Sequence, residues 1–137
     1  MKTLETREDI SILVNAFYAK IRMDDLLGPI FNSHITENQW PAHLSKLTDF
    51  WDTVLFGAAN FKGNPSMKHV KVDENMNYTV EQVHFGKWMQ LWFETIDELY
   101  EGEMATKAKQ NARKMSTGQY LTIWQNRPES VKNAFVE

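Results

Sequence analysis

Apolar residues recur at three- and four-residue steps along four long segments of this chain, and nowhere do they alternate with the period of two that a half-buried strand requires. In the first segment Ile10, Leu13, Val14, Phe17, Tyr18 and Ile21 make one stripe. Thr6 stands where it can cap the helix, and Glu8 and Asp9 lie near its positive end. The second runs from about residue 38 to 56 with Trp40, His43, Leu44, Leu47, Phe50, Trp51, Val54 and Leu55; Pro41 is tolerated because it falls in the first turn. His43, Leu47, Trp51 and Leu55 are four apart, so the imidazole points where the apolar groups point. The third, from 79 to about 101, carries Val80, Val83, His84, Trp88, Leu91, Trp92, Thr95, Ile96 and Leu99. The fourth, from about 103 to 124, carries Met104, Ala108, Ala112, Met115, Gln119, Tyr120, Ile123 and Trp124, and its alanines let a neighbour come close. The expected fold class is all-α, a helical bundle.

Between these segments the chain is punctuated. Gly28-Pro29 in "MDDLLGPIF" reads as a turn, with Phe31 just after it and His34 expected in solvent. In "FKGNPSMKHV" Gly63 turns the chain, Asn64 can cap and Pro65 suits a first helical position. The short helix that follows is expected to stop near Val72, leaving "DENMN" as loop. The end, residues 125–137, reads as a tail with one more turn or a frayed end. With no repeat or linker, the 137 residues make a single domain.

Bulk properties exclude several classes. A net charge of −3 gives no basic footprint for nucleic acid. With no cysteine, disulfides and thiolate metal sites are ruled out and a reducing compartment is compatible. "MKTLETREDI" lacks the apolar run of a signal peptide, and no stretch reaches the roughly 20 apolar residues of a membrane span. The expectation is a soluble, cytoplasmic protein.

Five Trp, eight Phe, four Tyr and seven Met are many flat or soft side chains for this length. They fill an aromatic core or pack against a planar ligand. Tyr18, His43 and Trp88, from three different helices, each set a hydrogen-bonding group on or beside an apolar stripe, where burial without a partner costs about 1–3 kcal/mol. Taken singly, each is open to a plainer reading as a core residue that finds a backbone partner. Together they converge if their helices pack.

His69 stands on the short element, flanked by Lys68 and Lys71, with Met67, Val70 and Val72 beside it. Neutral imidazole is the commonest side-chain metal ligand. A protein-only zinc site is a poor fit, because His34, His43, His69 and His84 are scattered and no thiol is present. One histidine is enough for an iron whose other four ligands come from a porphyrin.

The segments "FYAKIRMDDLLGPIF" (17–31), "WPAHLSKLTDFW" (40–51), "FKGNPSMKHV" (61–70) and "HFGKWMQLWF" (84–93), in this order over about residues 8–124, resemble the truncated haemoglobins, specifically their third group. The resemblance implies a two-over-two globin sandwich enclosing haem b, iron protoporphyrin IX. It implies His69 as the proximal ligand and Tyr18, His43 and Trp88 as the polar distal trio. Leu47 and Trp51 match apolar distal positions, Phe31 a haem-contacting aromatic, and Lys46 and Lys68 positions where basic residues meet propionates; ordinary solvated lysines are the alternative. His84, just before Phe85, packs near the haem edge or lies on the surface. Glycine-rich hinges around the distal helix are absent, as in the third group.

Such a site implies binding of dioxygen, nitric oxide and carbon monoxide, with tight oxygen binding and either nitric oxide dioxygenation or peroxidase-like chemistry, supported by an unidentified reductase. A monomer is expected. The rival readings are a haem-free helical interaction domain and a gas sensor.

Overall fold

The computed structural model describes residues 1–59, 61 and 63–133; Lys62 of the "FKGNPSMKHV" motif and the last four residues of the tail lie outside them. Helix α1, Arg7–Met23, begins at Thr6 through a capping box, Thr6 and Asp9 each accepting from the other's backbone N–H. Its expected stripe, from Ile10 through Ile21, is buried. Asp9 is buried too, and its carboxylate accepts from Lys2 Nζ (2.7 Å), Glu5 N (2.9 Å) and Thr6 N (3.0 Å).

Strand structure is not wholly absent, contrary to expectation. β1, Lys2–Thr3, pairs in parallel with β2, Tyr100–Glu101, in the register Lys2 with Tyr100. Two residues are too few to show alternation. The Tyr100 hydroxyl donates to the Asp9 carbonyl at 2.9 Å, which ties the start of the chain to the end of a distant helix.

The Gly28-Pro29 turn proves to be a helix start: α2 is Gly28–His34, with the proline in its first turn. Only glycine fits at 28, since a Cβ there would lie 2.8 Å from the Arg22 carbonyl oxygen. A 3₁₀ turn, Glu37–Gln39, leads into α3, Trp40–Phe56. Helix α4, Pro65–Asn75, is capped by the Asn64 side chain and runs a turn beyond its expected end. Asp73 explains the extension. Its buried carboxylate receives Arg127 through Nε (2.9 Å) and Nη2 (3.0 Å) and accepts from Val80 N (3.1 Å), while Arg127 Nη2 also donates to the Val80 carbonyl (2.6 Å). Asn77 and Tyr78, both at positive φ (57° and 62°), turn the chain toward α5, Gln82–Leu99. Helix α6 is Glu103–Gln125, and the tail holds a further turn, α7, Glu129–Asn133.

Helix α1 packs on α3 and α5, α5 packs on α6, and α4 lies against α6. The α1/α3 and α5/α6 pairs form the two layers of a two-over-two sandwich. Ala105, Ala108 and Ala112 are buried on α6, and the close approach they allow lets Trp92 Nε1 donate to the Ala108 carbonyl at 3.2 Å.

Two outcomes follow. Arg127→Ala leaves the Asp73 charge buried without its partner and should destabilise the fold by about 3–5 kcal/mol in urea unfolding; a loss below about 1 kcal/mol contradicts the clamp. Hydrogen bonding to Lys2, Glu5 and Thr6 holds the Asp9 carboxyl down at about 2. Its folded pKa lies below the unfolded value, so the stability it contributes is complete above about pH 4 and drains away between about pH 4 and 2. Acid unfolding of Asp9→Asn should be less pH-dependent in that window than wild type.

Candidate functional site

A cavity of about 580 Å³ opens between the layers, within the range of about 300–1,000 Å³ typical of small-molecule and cofactor sites. Tyr18, Phe31, His43, Lys46, Leu47, Trp51, Lys68, His69, His84, Phe85 and Trp88 all line it, so the fold brings every residue singled out above onto one wall or another of a single space.

Tyr18, His43 and Trp88 form one face. The Tyr18 ring lies edge-on to His43, with centroids 6.2 Å apart, and 5.9 Å from Phe31. Phe17, buried behind them, meets Tyr18 at 4.7 Å and Trp88 at 5.4 Å, both T-shaped, and fixes the two rings. Burial pushes the Tyr18 hydroxyl up to about 12, opposed in part by the nearby Trp88 side chain. Burial, then the charges of Lys68 and Lys46, lower the His43 pKa and keep its ring neutral near pH 7.

His69 projects from α4, its ring 6.2 Å from Phe85 and edge-on to it. Its Nδ1 is buried and has no hydrogen-bond partner. Burial lowers its pKa, with the Gln119 side chain opposing. A neutral imidazole is therefore presented to an apolar space. Lys46 and Lys68 stand exposed at the mouth, close enough that Lys46 lowers the Lys68 pKa. Neither has an acidic partner among the described residues.

His84 lines the cavity and also starts α5, its Nδ1 accepting from Glu81 N at 2.9 Å. His34 is not the exposed residue expected. It is half-buried on the cavity wall, its Nδ1 donating to the Ile30 carbonyl at 2.8 Å. Its Nε2 is left to accept from Asn75 Nδ2 at 3.3 Å, which links α2 to the end of α4. Gln119 and Ile123 of α6 also line the space, and their place on the α6 stripe was the available signal. Phe61, in the connection before α4, gave none.

No protein-family model matches the chain. It is 32% identical over 113 residues to the group 3 truncated haemoglobin ctb of Campylobacter jejuni, a match spanning 81% of this chain and 85% of that protein. The chain belongs to the group 3 truncated haemoglobins. The crystal structure of a group III truncated haemoglobin from Campylobacter jejuni superimposes with a TM-score of 0.81 at 29% identity, covering 94% of this chain and 100% of that one.

Membership in this globin family implies haem and the binding of diatomic gases. The residues of this truncated haemoglobin fit that group. No cluster of three His, Cys, Asp or Glu side chains able to hold a metal unaided occurs among the described residues. The buried, unpartnered ring nitrogen of His69 suits a metal that brings its other ligands with it. The two unneutralised lysines at the mouth suit a planar ligand with carboxylates at one edge.

In the haem-free protein, the His43 ring protons should titrate below the ordinary 6.5 in an NMR pH series. Lys68→Gln, by removing a neighbouring positive charge, should move that midpoint up. A midpoint unmoved by the substitution would detach Lys68 from His43.

Proposed function

We propose that His69 holds the iron of haem b from the α4 side, that Lys46 and Lys68 pair with its propionates, and that Tyr18, Trp88 and His43 face the gas on the other side. Phe31, Leu47, Trp51, His84 and Phe85 pack around the ring. The observation that carries this reading is the placement of a buried His69 Nδ1 without a hydrogen-bond partner on the same cavity as Tyr18, His43 and Trp88. Haem held there would supply a ferrous iron able to bind dioxygen, nitric oxide or carbon monoxide. Uptake without covalent attachment agrees with a sequence that has no cysteine.

The Tyr18 hydroxyl keeps its proton at any physiological pH and its ring is packed edge-on by Phe17, so it serves as a donor toward a polar diatomic ligand. A hydrogen bond to a charged or partly charged acceptor contributes about 1.5–3 kcal/mol, or roughly 10- to 100-fold in dissociation. Tight retention of dioxygen suits reaction in place over delivery. The reading is nitric oxide dioxygenation to nitrate, in a cytoplasmic monomer that draws electrons from a separate reductase. A peroxidase-like alternative rests on His43, whose neutral ring beside Tyr18 is able to take and return a proton.

Tyr18→Phe should speed dioxygen release about 10- to 100-fold and carbon monoxide release much less, since carbon monoxide is the less polar ligand. Equal effects on the two gases would remove Tyr18 from the ligand. Stopped-flow mixing of the oxygenated protein with nitric oxide should yield nitrate in equal amount. Slow mixing kinetics without nitrate would argue for storage.

A further inference from the structure

The five tryptophans fall into two groups. Trp51 stacks on Trp92 with ring centroids 4.5 Å apart and planes 23° apart, and Trp88 stacks on Trp92 at 6.0 Å and 11°. Trp51 and Trp88 line the cavity, and Trp92 is fully buried behind it. The other two each carry a cation over the ring: the Arg22 guanidinium lies 4.7 Å from the Trp40 centroid, and Lys132 Nζ lies 5.3 Å from that of Trp124. No such contact touches the three stacked indoles among the described residues.

This division matters because indole is among the most easily oxidised side chains. A positive charge over the ring makes removal of an electron harder by Coulomb repulsion, and a second π-face against it makes removal easier by sharing the charge. Trp92 Nε1 donates to the Ala108 carbonyl, which cannot take the proton outright but stabilises the N–H as it becomes more acidic. Phe17 meets Trp92 edge-on at 4.9 Å and Trp88 at 5.4 Å and holds the stack without being oxidisable itself. The route outward is unfavourable. Tyr18 would have to lose a proton that burial retains, and Trp40 beyond it, at 6.0 Å, lies under Arg22.

We propose that the Trp51–Trp92–Trp88 stack is a buried one-electron donor to the cavity, discharging when a hydroperoxide reaches the bound cofactor. The inference rests on the haem reading above. In the step, the O–O bond of ROOH breaks and two O–H bonds form, giving ROH and water. Two protons come from solvent and two electrons from the holoprotein. One electron comes from the cofactor iron and one from the stack, which becomes an indole cation shared over its rings. Two equivalents of an external one-electron reductant restore the indole and the iron.

The test uses protein loaded with hemin, its retention checked by absorption spectrum, and one equivalent of hydrogen peroxide. Freeze-quenched electron paramagnetic resonance should show an organic radical whose signal narrows when the protein carries ring-deuterated tryptophan. Peptide mass spectrometry should find oxygen added at Trp51, Trp88 or Trp92 ahead of Trp124, although Trp124 is the exposed one at 37%. Trp92→Phe should abolish the indole signal or replace it with a tyrosyl one. Oxidation led by Trp124 or Trp40 in the wild-type protein, which requires no variant to fold, overturns the proposal, as does a radical indifferent to Trp92→Phe. If hemin is not retained at all, the haem reading falls and this one with it; if hemin is retained and the stack stays unmodified, only this one falls.

Discussion

The placement of α4 depends on one buried ion pair. An 11-residue helix with few apolar residues cannot hold itself against the sandwich, and burial of its own side chains contributes little. Arg127 supplies the anchor. Its guanidinium, with its side chain 1% exposed, grips the Asp73 carboxylate and the Val80 carbonyl together. Asp73 is four residues after His69, so the two side chains share a face of the helix, and fixing one fixes the direction of the other. The Asn64 cap holds the opposite end. The position of a single imidazole is thus set by a residue 58 positions later in the chain, beyond the last long helix.

The charges around the cavity are arranged by depth. Inside, Tyr18 is held protonated and His43 and His69 are held neutral, all chiefly by burial. Outside, Lys46 and Lys68 stand in water at the mouth. A flat, mostly apolar ligand with an anionic edge meets complementary surroundings on each side. The same burial that holds the Tyr18 proton also discourages oxidation of that residue, which leaves the neighbouring indoles as the softer electron source.

Much of this was legible in the sequence. The stripes of α1, α3, α5 and α6 lie close to where the periodicity sets them, because long amphipathic helices repeat their signal many times; α5 nonetheless starts only at Gln82, and Val83 and Trp124 of the expected stripes are exposed. Tyr18, His43 and Trp88 share one cavity for the same reason, since each stood on or beside an apolar stripe, while Lys46 and Lys68 reach its mouth from exposed positions. What escaped was structure held by polar or very short-range features. Gly28-Pro29 serves a turn and a helix start equally well, and the close approach to Arg22 that requires glycine is a tertiary fact. The last turn of α4 has no apolar period because its buried member is Asp73. The tail read as one more turn or a frayed end, and the turn is there, but nothing in it announced that Arg127 would be 4% exposed. His34, among polar neighbours, gave no sign of its contact with Asn75, 41 residues away.

The central claim is that His69 presents its imidazole to iron within this cavity. Titration of the purified chain with hemin under reducing conditions, followed in the Soret region with carbon monoxide added, tests it most directly. Near-equal stoichiometry is predicted for the wild type, together with a weakened, spectrally altered complex for His69→Gly that free imidazole restores. Saturable uptake with the same spectrum in His69→Gly, or no uptake by the wild type, would contradict it.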